Sequence, residues 1–132
     1  MPAMANITVK KADNVTNVDY TVATPSAGDK SPAVWKNQTV GTVNAARPTF
    51  TATAQDNGTG KARRMRTTFF WPKVRTDALS NVVVSGGISS ESSHLIPQDM
   101  TPAEITEAVA QNANLVASAL IKQMMTEGYA PG

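Results

Sequence analysis

Arg47 to Val74 reads RPTFTATAQDNGTGKARRMRTTFFWPKV, and this stretch decides the fold. Between Arg47 and Gln55 the side chains alternate strictly. Thr49, Thr51, Thr53 and Gln55 fall on one side, and Phe50, Ala52 and Ala54 on the other. A period of two marks a strand with two unlike faces. The turn is DNGTG, residues 56–60, in which Asn57-Gly58 is the hairpin signal, because both residues tolerate positive φ. The return strand is expected over Ala62 to Trp71, with Pro72 as its stop. The same period sets Arg64, Arg66, Thr68 and Phe70 on one face and Met65, Thr67, Phe69 and Trp71 on the other.

Upstream, NITVKKADNVTNVDYTVATP reads as two short strands joined by a polar turn around Asp13 to Asn17. SAGDKSP is a loop, and AVWKNQTVGTVN looks like further strand, with Trp35 as its large apolar residue and Gly41 as a break or bulge. Downstream, Arg75 to Gly87 reads as a connector with a short apolar centre, Val82 to Val84. ISSESSHLIP is a mostly polar strand. Thr101-Pro102-Ala103-Glu104 is a capping box with proline in the first turn. Apolar residues then recur at threes and fours from Ile105 to Met124. This predicts one amphipathic helix, or two meeting near Asn112 to Asn114, ending at Gly128. Strands followed by helix argue for an α+β fold, with helix against one sheet face and the polar face left open.

At 132 residues the chain is expected to be a single domain, 1–132. Its parts are a hairpin over 1–25, a sheet over 33–97 with a loop at 75–87, and a helical region over 101–127. Only 5% of residues are aromatic, so the core draws on small aliphatic side chains. That favours completing burial against a second copy. Cysteine is absent, which excludes disulfides and cysteine-based metal sites. His94 is the one histidine and makes neither a metal site nor a triad. No phosphate-cradling glycine loop stands in a strand–loop–helix setting, so no enzyme, cofactor or small-molecule substrate is expected. The opening residues lack a signal-peptide pattern, and no apolar run approaches the roughly 18 residues of a membrane span.

Net charge is +2, but its distribution is uneven. Lys61, Arg63, Arg64, Arg66, Lys73 and Arg75 crowd the middle without an acid. Asp99, Glu104, Glu107 and Glu127 face only Lys122 in the C-terminal part. The hairpin sets Arg47, Thr49, Thr51 and Thr53 beside Arg64, Arg66 and Thr68. Arginine forks suit phosphate, and threonine hydroxyls suit base edges and ribose oxygens. Such a face fits single-stranded RNA. Threonine and arginine also serve plain solubility and strand propensity on open sheets. Phe70 serves either to stack on a base or to pack at a subunit contact. Trp35 and Trp71 read as core or interface residues.

Three stretches, in this order and spacing, resemble the coat proteins of single-stranded RNA bacteriophages of the levivirus type. They are DYTVATPSAGDKSPAVW, the Arg47–Val74 hairpin through its Pro-Lys-Val exit, and HLIPQDMTPAEI. The resemblance implies an N-terminal hairpin, a five-stranded antiparallel sheet and two C-terminal helices or one broken helix. It implies an intertwined homodimer with a ten-stranded sheet, a T=3-type icosahedral shell and packaged single-stranded RNA. It also implies a genomic stem-loop bound as translational repressor of the replicase, and a virion assembled in the host bacterial cytoplasm. By position, Arg47, Thr49, Thr51, Arg66, Thr68, Glu91 and Ser93 match RNA-contacting positions. Ser89 stands where relatives carry a stacking tyrosine. A dimeric RNA-binding regulator that does not assemble is the other reading.

Overall fold

Alternation becomes a ladder in the computed structural model, which describes residues 2–41 and 43–132. Six strands follow in chain order: β1 (Ile7–Lys10), β2 (Asn17–Thr24), β3 (Ala33–Lys36), β4 (Thr49–Asp56), β5 (Ala62–Thr76) and β6 (Val82–Pro97). They form one sheet ordered β1-β2-β3-β4-β5-β6, each strand beside its sequence neighbour. The N-terminal hairpin, β1 and β2, is continuous with the four strands β3 to β6 that lie within 33–97, so the sheet has six strands. Two helices follow, α1 (Pro102–Val116) and α2 (Ala119–Glu127). The chain divides into two units, Met1–Leu95 and Ile96–Gly132.

The β1–β2 turn is closed by Asp13. Its carboxylate accepts from the Val15 and Thr16 amides at 2.9 Å and from the Thr16 hydroxyl at 2.6 Å. The residues before β1 are tied to the sheet as well. The Trp35 indole donates to the Ala5 carbonyl at 2.8 Å, and the Val22 amide donates to the Asn6 side chain at 3.0 Å.

The strand expected through Asn44 ends at Lys36. Asn37, 2% exposed, turns the chain there, accepting from both the amide and the hydroxyl of Thr39. Gly41 (φ 82°) sits at the break, where a β-carbon would meet the Ala46 carbonyl oxygen at 2.8 Å. A short 3-10 turn over Asn44–Ala46 then leads to β4.

Two boundaries beyond the central hairpin differ from expectation. Pro72 does not stop β5, which continues to Thr76. The β4 ladder ends at Thr49↔Phe70, so proline's missing N–H leaves no β4 bond unmade. The expected 75–87 loop contracts to the turn between Thr76 and Val82. Asp77 organises this turn: its carboxylate accepts from the Leu79 and Asn81 amides at 2.9 Å, and its own amide donates to the Asn81 carbonyl. At Gly87 the two strands come so close that a β-carbon would lie 2.2 Å from the Trp71 carbonyl oxygen.

In the helical unit the capping box forms as the sequence predicts. The Thr101 hydroxyl accepts from the Glu104 amide, and the Glu104 carboxylate accepts from the Thr101 amide. The helices separate at Ala117–Ser118, not near Asn112 to Asn114. An exposed asparagine costs a helix only a few tenths of a kcal/mol, too little to break it. Ser118 does break it, since its backbone is extended and its hydroxyl donates to the Leu115 carbonyl at 2.7 Å. α2 ends at Gly128.

Burial within the single chain is slight. Among the described residues the buried apolar side chains are Tyr20, Ala33, Ala46 and Ala62, joined by Pro48 and Pro72. Neither helix buries a residue, and Val109, Leu115, Val116, Leu120 and Met125 are each at least half exposed. Covering such side chains yields on the order of 1 kcal/mol each.

Candidate nucleic-acid interface

The register sorts the sheet into two faces. Pairing of Ile7 with Tyr20, Val22 with Trp35, Trp35 with Phe50 and Phe50 with Phe69 collects one apolar side. Tyr20 meets Phe69 edge-on with centroids 6.2 Å apart, and Trp35 meets Phe50 at 5.7 Å. Ile7, Val9, Tyr20, Phe50 and Phe69 line a groove of about 350 Å³ on this side. A second groove, about 560 Å³, runs past Ala33, Trp35, Ala52, Ala54 and Met65. Met65 and Trp71 belong to this side by alternation and stay partly exposed, Trp71 at 42%.

The opposite face carries the polar set as cross-strand rows. Thr51 pairs with Thr68, Thr53 with Arg66, and Gln55 with Arg64. Lys36, Thr49 and Phe70 form a further row. The hairpin thus brings Thr49, Thr51, Thr53, Arg64, Arg66 and Thr68 together, as the alternation predicts. The hydroxyls of Thr51 and Thr68 hydrogen-bond each other. Thr49 donates to the Arg47 carbonyl at 3.2 Å. Arg47 precedes β4, and its guanidinium donates to the Gln38 side chain while its Nε is buried without a partner.

Glu91 joins this face through Arg66, whose guanidinium donates to its carboxylate at 2.7 Å. Ser93, two residues on in β6, shares the side of Glu91 by strand periodicity. More than half of each side chain in the Arg66–Glu91 pair is exposed, so the pair contributes little to stability and is open to exchange. Arg64 has no ion-pair partner among the described residues. The face therefore presents one uncommitted guanidinium, one held by a carboxylate and a band of hydroxyls.

Sequence reasoning passed over two features. Lys36 lies on the polar face, as its place after Trp35 implies. Arg63 lies on the apolar side by alternation, one residue before Arg64, at the hairpin end where Asp56 stands across the ladder. It finds Asp29 in a two-pronged pair at 2.8 and 2.7 Å, which fastens the Ser26–Pro32 loop to β5. The hydrogen bond from Arg63 holds the Asp29 carboxyl below its ordinary range, and the same bond raises Arg63. Among the described residues no group of three or more His, Cys, Asp or Glu is arranged to hold a metal ion.

No protein-family model and no curated protein matches the sequence. Solved structures do match, over essentially the whole length. The virus-like particle of Beihai levi-like virus 21 aligns with TM-score 0.83 at 14% identity, covering 99% of both chains. The bacteriophage EMS014 coat protein aligns at TM-score 0.78 and 14% identity, covering 99% of this chain and 100% of its own. The bacteriophage GA capsid protein aligns at TM-score 0.75 and 14% identity, covering 96% and 95%. This chain carries the fold of the levi-like bacteriophage coat proteins.

Proposed function

We propose that this chain is a virion coat protein. It pairs into an intertwined homodimer, assembles into an icosahedral shell of T=3 type and packages single-stranded RNA against the polar face of its sheet. Arg47, Thr49, Thr51, Thr53, Arg64, Arg66, Thr68, Glu91 and Ser93 make up that RNA surface. A stem-loop of the genome docks there and represses translation of the replicase. Assembly takes place in the cytoplasm of a host bacterium, and the chain acts without catalysis, cofactor or membrane.

The observation that carries this reading is the end-to-end match to coat proteins and virus-like particles, such as that at TM-score 0.83 over 99% of both chains. Two physical features support it. The apolar underside and the helical stripe are both left uncovered in the single chain, as a subunit that completes its core in an assembly requires. The other face is built from cations and hydroxyls suited to phosphate and ribose. Purified protein is expected to elute as a particle of megadalton order, with excess absorbance near 260 nm from RNA. Negative-stain images should show closed shells. Elution as a dimer would favour the non-assembling regulator instead. If RNA drives assembly, high salt should weaken it through screening and counterion release.

A further inference from the structure

We propose that Phe70 is a stacking platform for one unstacked base of single-stranded RNA. Thr49 and Lys36, in the same cross-strand row, hold the sugar and phosphate of that nucleotide. This rests on the polar face being the RNA surface, and it assigns a binding position to a residue outside the hairpin's arginine and threonine set.

Phe70 is the exception among the sheet's aromatics. Tyr20, Trp35, Phe50 and Phe69 share the apolar side by register, and Trp71 joins them by alternation. Tyr20 and Phe69 meet as one ring pair, Trp35 and Phe50 as another. Phe70 alone points the other way, 36% exposed and without an aromatic partner among the described residues. Its row runs Phe70–Thr49–Lys36 across three strands. Two inter-strand spacings cover about 10 Å, the scale of a single nucleotide.

The chemistry along the row is graded. At one end is a π-face, in the middle a hydroxyl, and at the other end an ammonium. Lys36 Nζ donates to the Asn44 side chain at 2.8 Å, a neutral acceptor, so its charge is uncompensated by any carboxylate among the described residues. The hydrogen-bonded hydroxyls of Thr51 and Thr68 form the adjacent row. An apolar protein segment on Phe70 would have to strip water from these groups without replacing its bonds. A nucleotide covers the ring with a base and meets the hydroxyls and the cation with polar atoms.

Stacking and phosphate binding respond differently to salt, and this makes the inference testable. Full-length chain freed of nucleic acid is titrated with a single-stranded adenylate RNA oligonucleotide and, separately, with inorganic polyphosphate, each over a range of salt. Phe70→Ala should weaken RNA binding about 5- to 150-fold, with the salt slope unchanged and polyphosphate binding unaffected. Phe70→Tyr and Phe70→Trp should retain affinity. Phe70→Leu, which keeps apolar bulk and folding, should not. Equal RNA affinity for Phe70→Leu and the parent overturns the inference. So does a Phe70→Ala loss shared equally by polyphosphate, or a change confined to particle size. The double variant Arg64→Ala/Arg66→Ala is the control. If it too binds RNA as the parent does, the RNA assignment of the whole face fails. If it loses affinity while the Phe70 variants do not, only the platform fails.

Discussion

The two faces of one sheet are built from neighbouring residues of the same strands, yet they have opposite needs. The side holding Tyr20, Trp35, Phe50, Phe69 and Trp71 has aromatic pairs and open grooves, so it gains by excluding water. The side holding Thr49, Thr51, Thr68, Arg64 and Arg66 carries hydroxyls and guanidiniums, which lose by giving up water unless polar atoms replace it. On the proposed function, stability and RNA binding are divided by parity, so a substitution on one side should leave the function of the other largely intact. Arg63 is the instructive violation. It follows the apolar parity but lies at the hairpin end, a third exposed, opposite Asp56, where Asp29 meets it with two hydrogen bonds.

The largest effect should come from the apolar side. Trp71→Ala should cost about 3–5 kcal/mol once an assembly covers the ring. It should appear as lost particles and a lowered unfolding midpoint. A stable, assembling Trp71→Ala protein would break the division. Arg64→Ala/Arg66→Ala should do the converse. RNA content, measured by the 260/280 nm absorbance ratio, should fall sharply while the unfolding midpoint moves little, since exposed side chains contribute little to folding.

Glu91→Gln sharpens the comparison within the polar face. A phosphate reaching Arg66 must displace the carboxylate now 2.7 Å away. Without that competitor, affinity for arbitrary RNA should rise several-fold. The salt slope should steepen by about 0.7 for the one additional phosphate contact. An unchanged slope would mean Arg66 takes no phosphate.

The smallest effects are acid responses at the edges of the apolar side. Asp13 is depressed to about 2 from 3.8, first by the Thr16 hydroxyl and then by the Val15 and Thr16 amides. Its folded value lies below its unfolded one. Its contribution is therefore present above the unfolded value and lost as pH falls through the folded one. Protection of the β1–β2 turn amides, relative to their intrinsic exchange at each pH, should fall between about pH 4 and 2, and Asp13→Ala should flatten that profile. Asp29 carries the same sign, and protonating it should release the Ser26–Pro32 loop.

Where each residue's conformation depends on near neighbours, the sequence was readable. Strict alternation from Thr49 to Gln55 and Asn57-Gly58 foretold the central hairpin and its facing. Thr101 and Glu104 foretold the α1 cap. What escaped depends on partners distant in the chain. Pro72 continues β5 because β4 has already ended, a fact of register that no local pattern carries. The Arg66–Glu91 pair depends on β6 passing close to Trp71 at Gly87, and a glycine in a serine-rich stretch does not announce a close approach. Asn112 and Asn114 were weak evidence for a helix break, because exposed asparagines cost a helix little. Ser118 set the break with a hydroxyl that bonds backward to Leu115. The polar face was legible as a face, but the commitments of its cations were not.

Ultraviolet cross-linking of RNA in purified particles, read by peptide mass spectrometry, tests the division of the sheet most directly. Cross-links should map to β4 and β5 residues of the polar side, Thr49, Thr51, Arg64, Arg66 and Phe70, and spare Trp35, Met65 and Trp71. Cross-links concentrated on Trp35, Met65 or Trp71 would place the RNA on the apolar side and contradict the account.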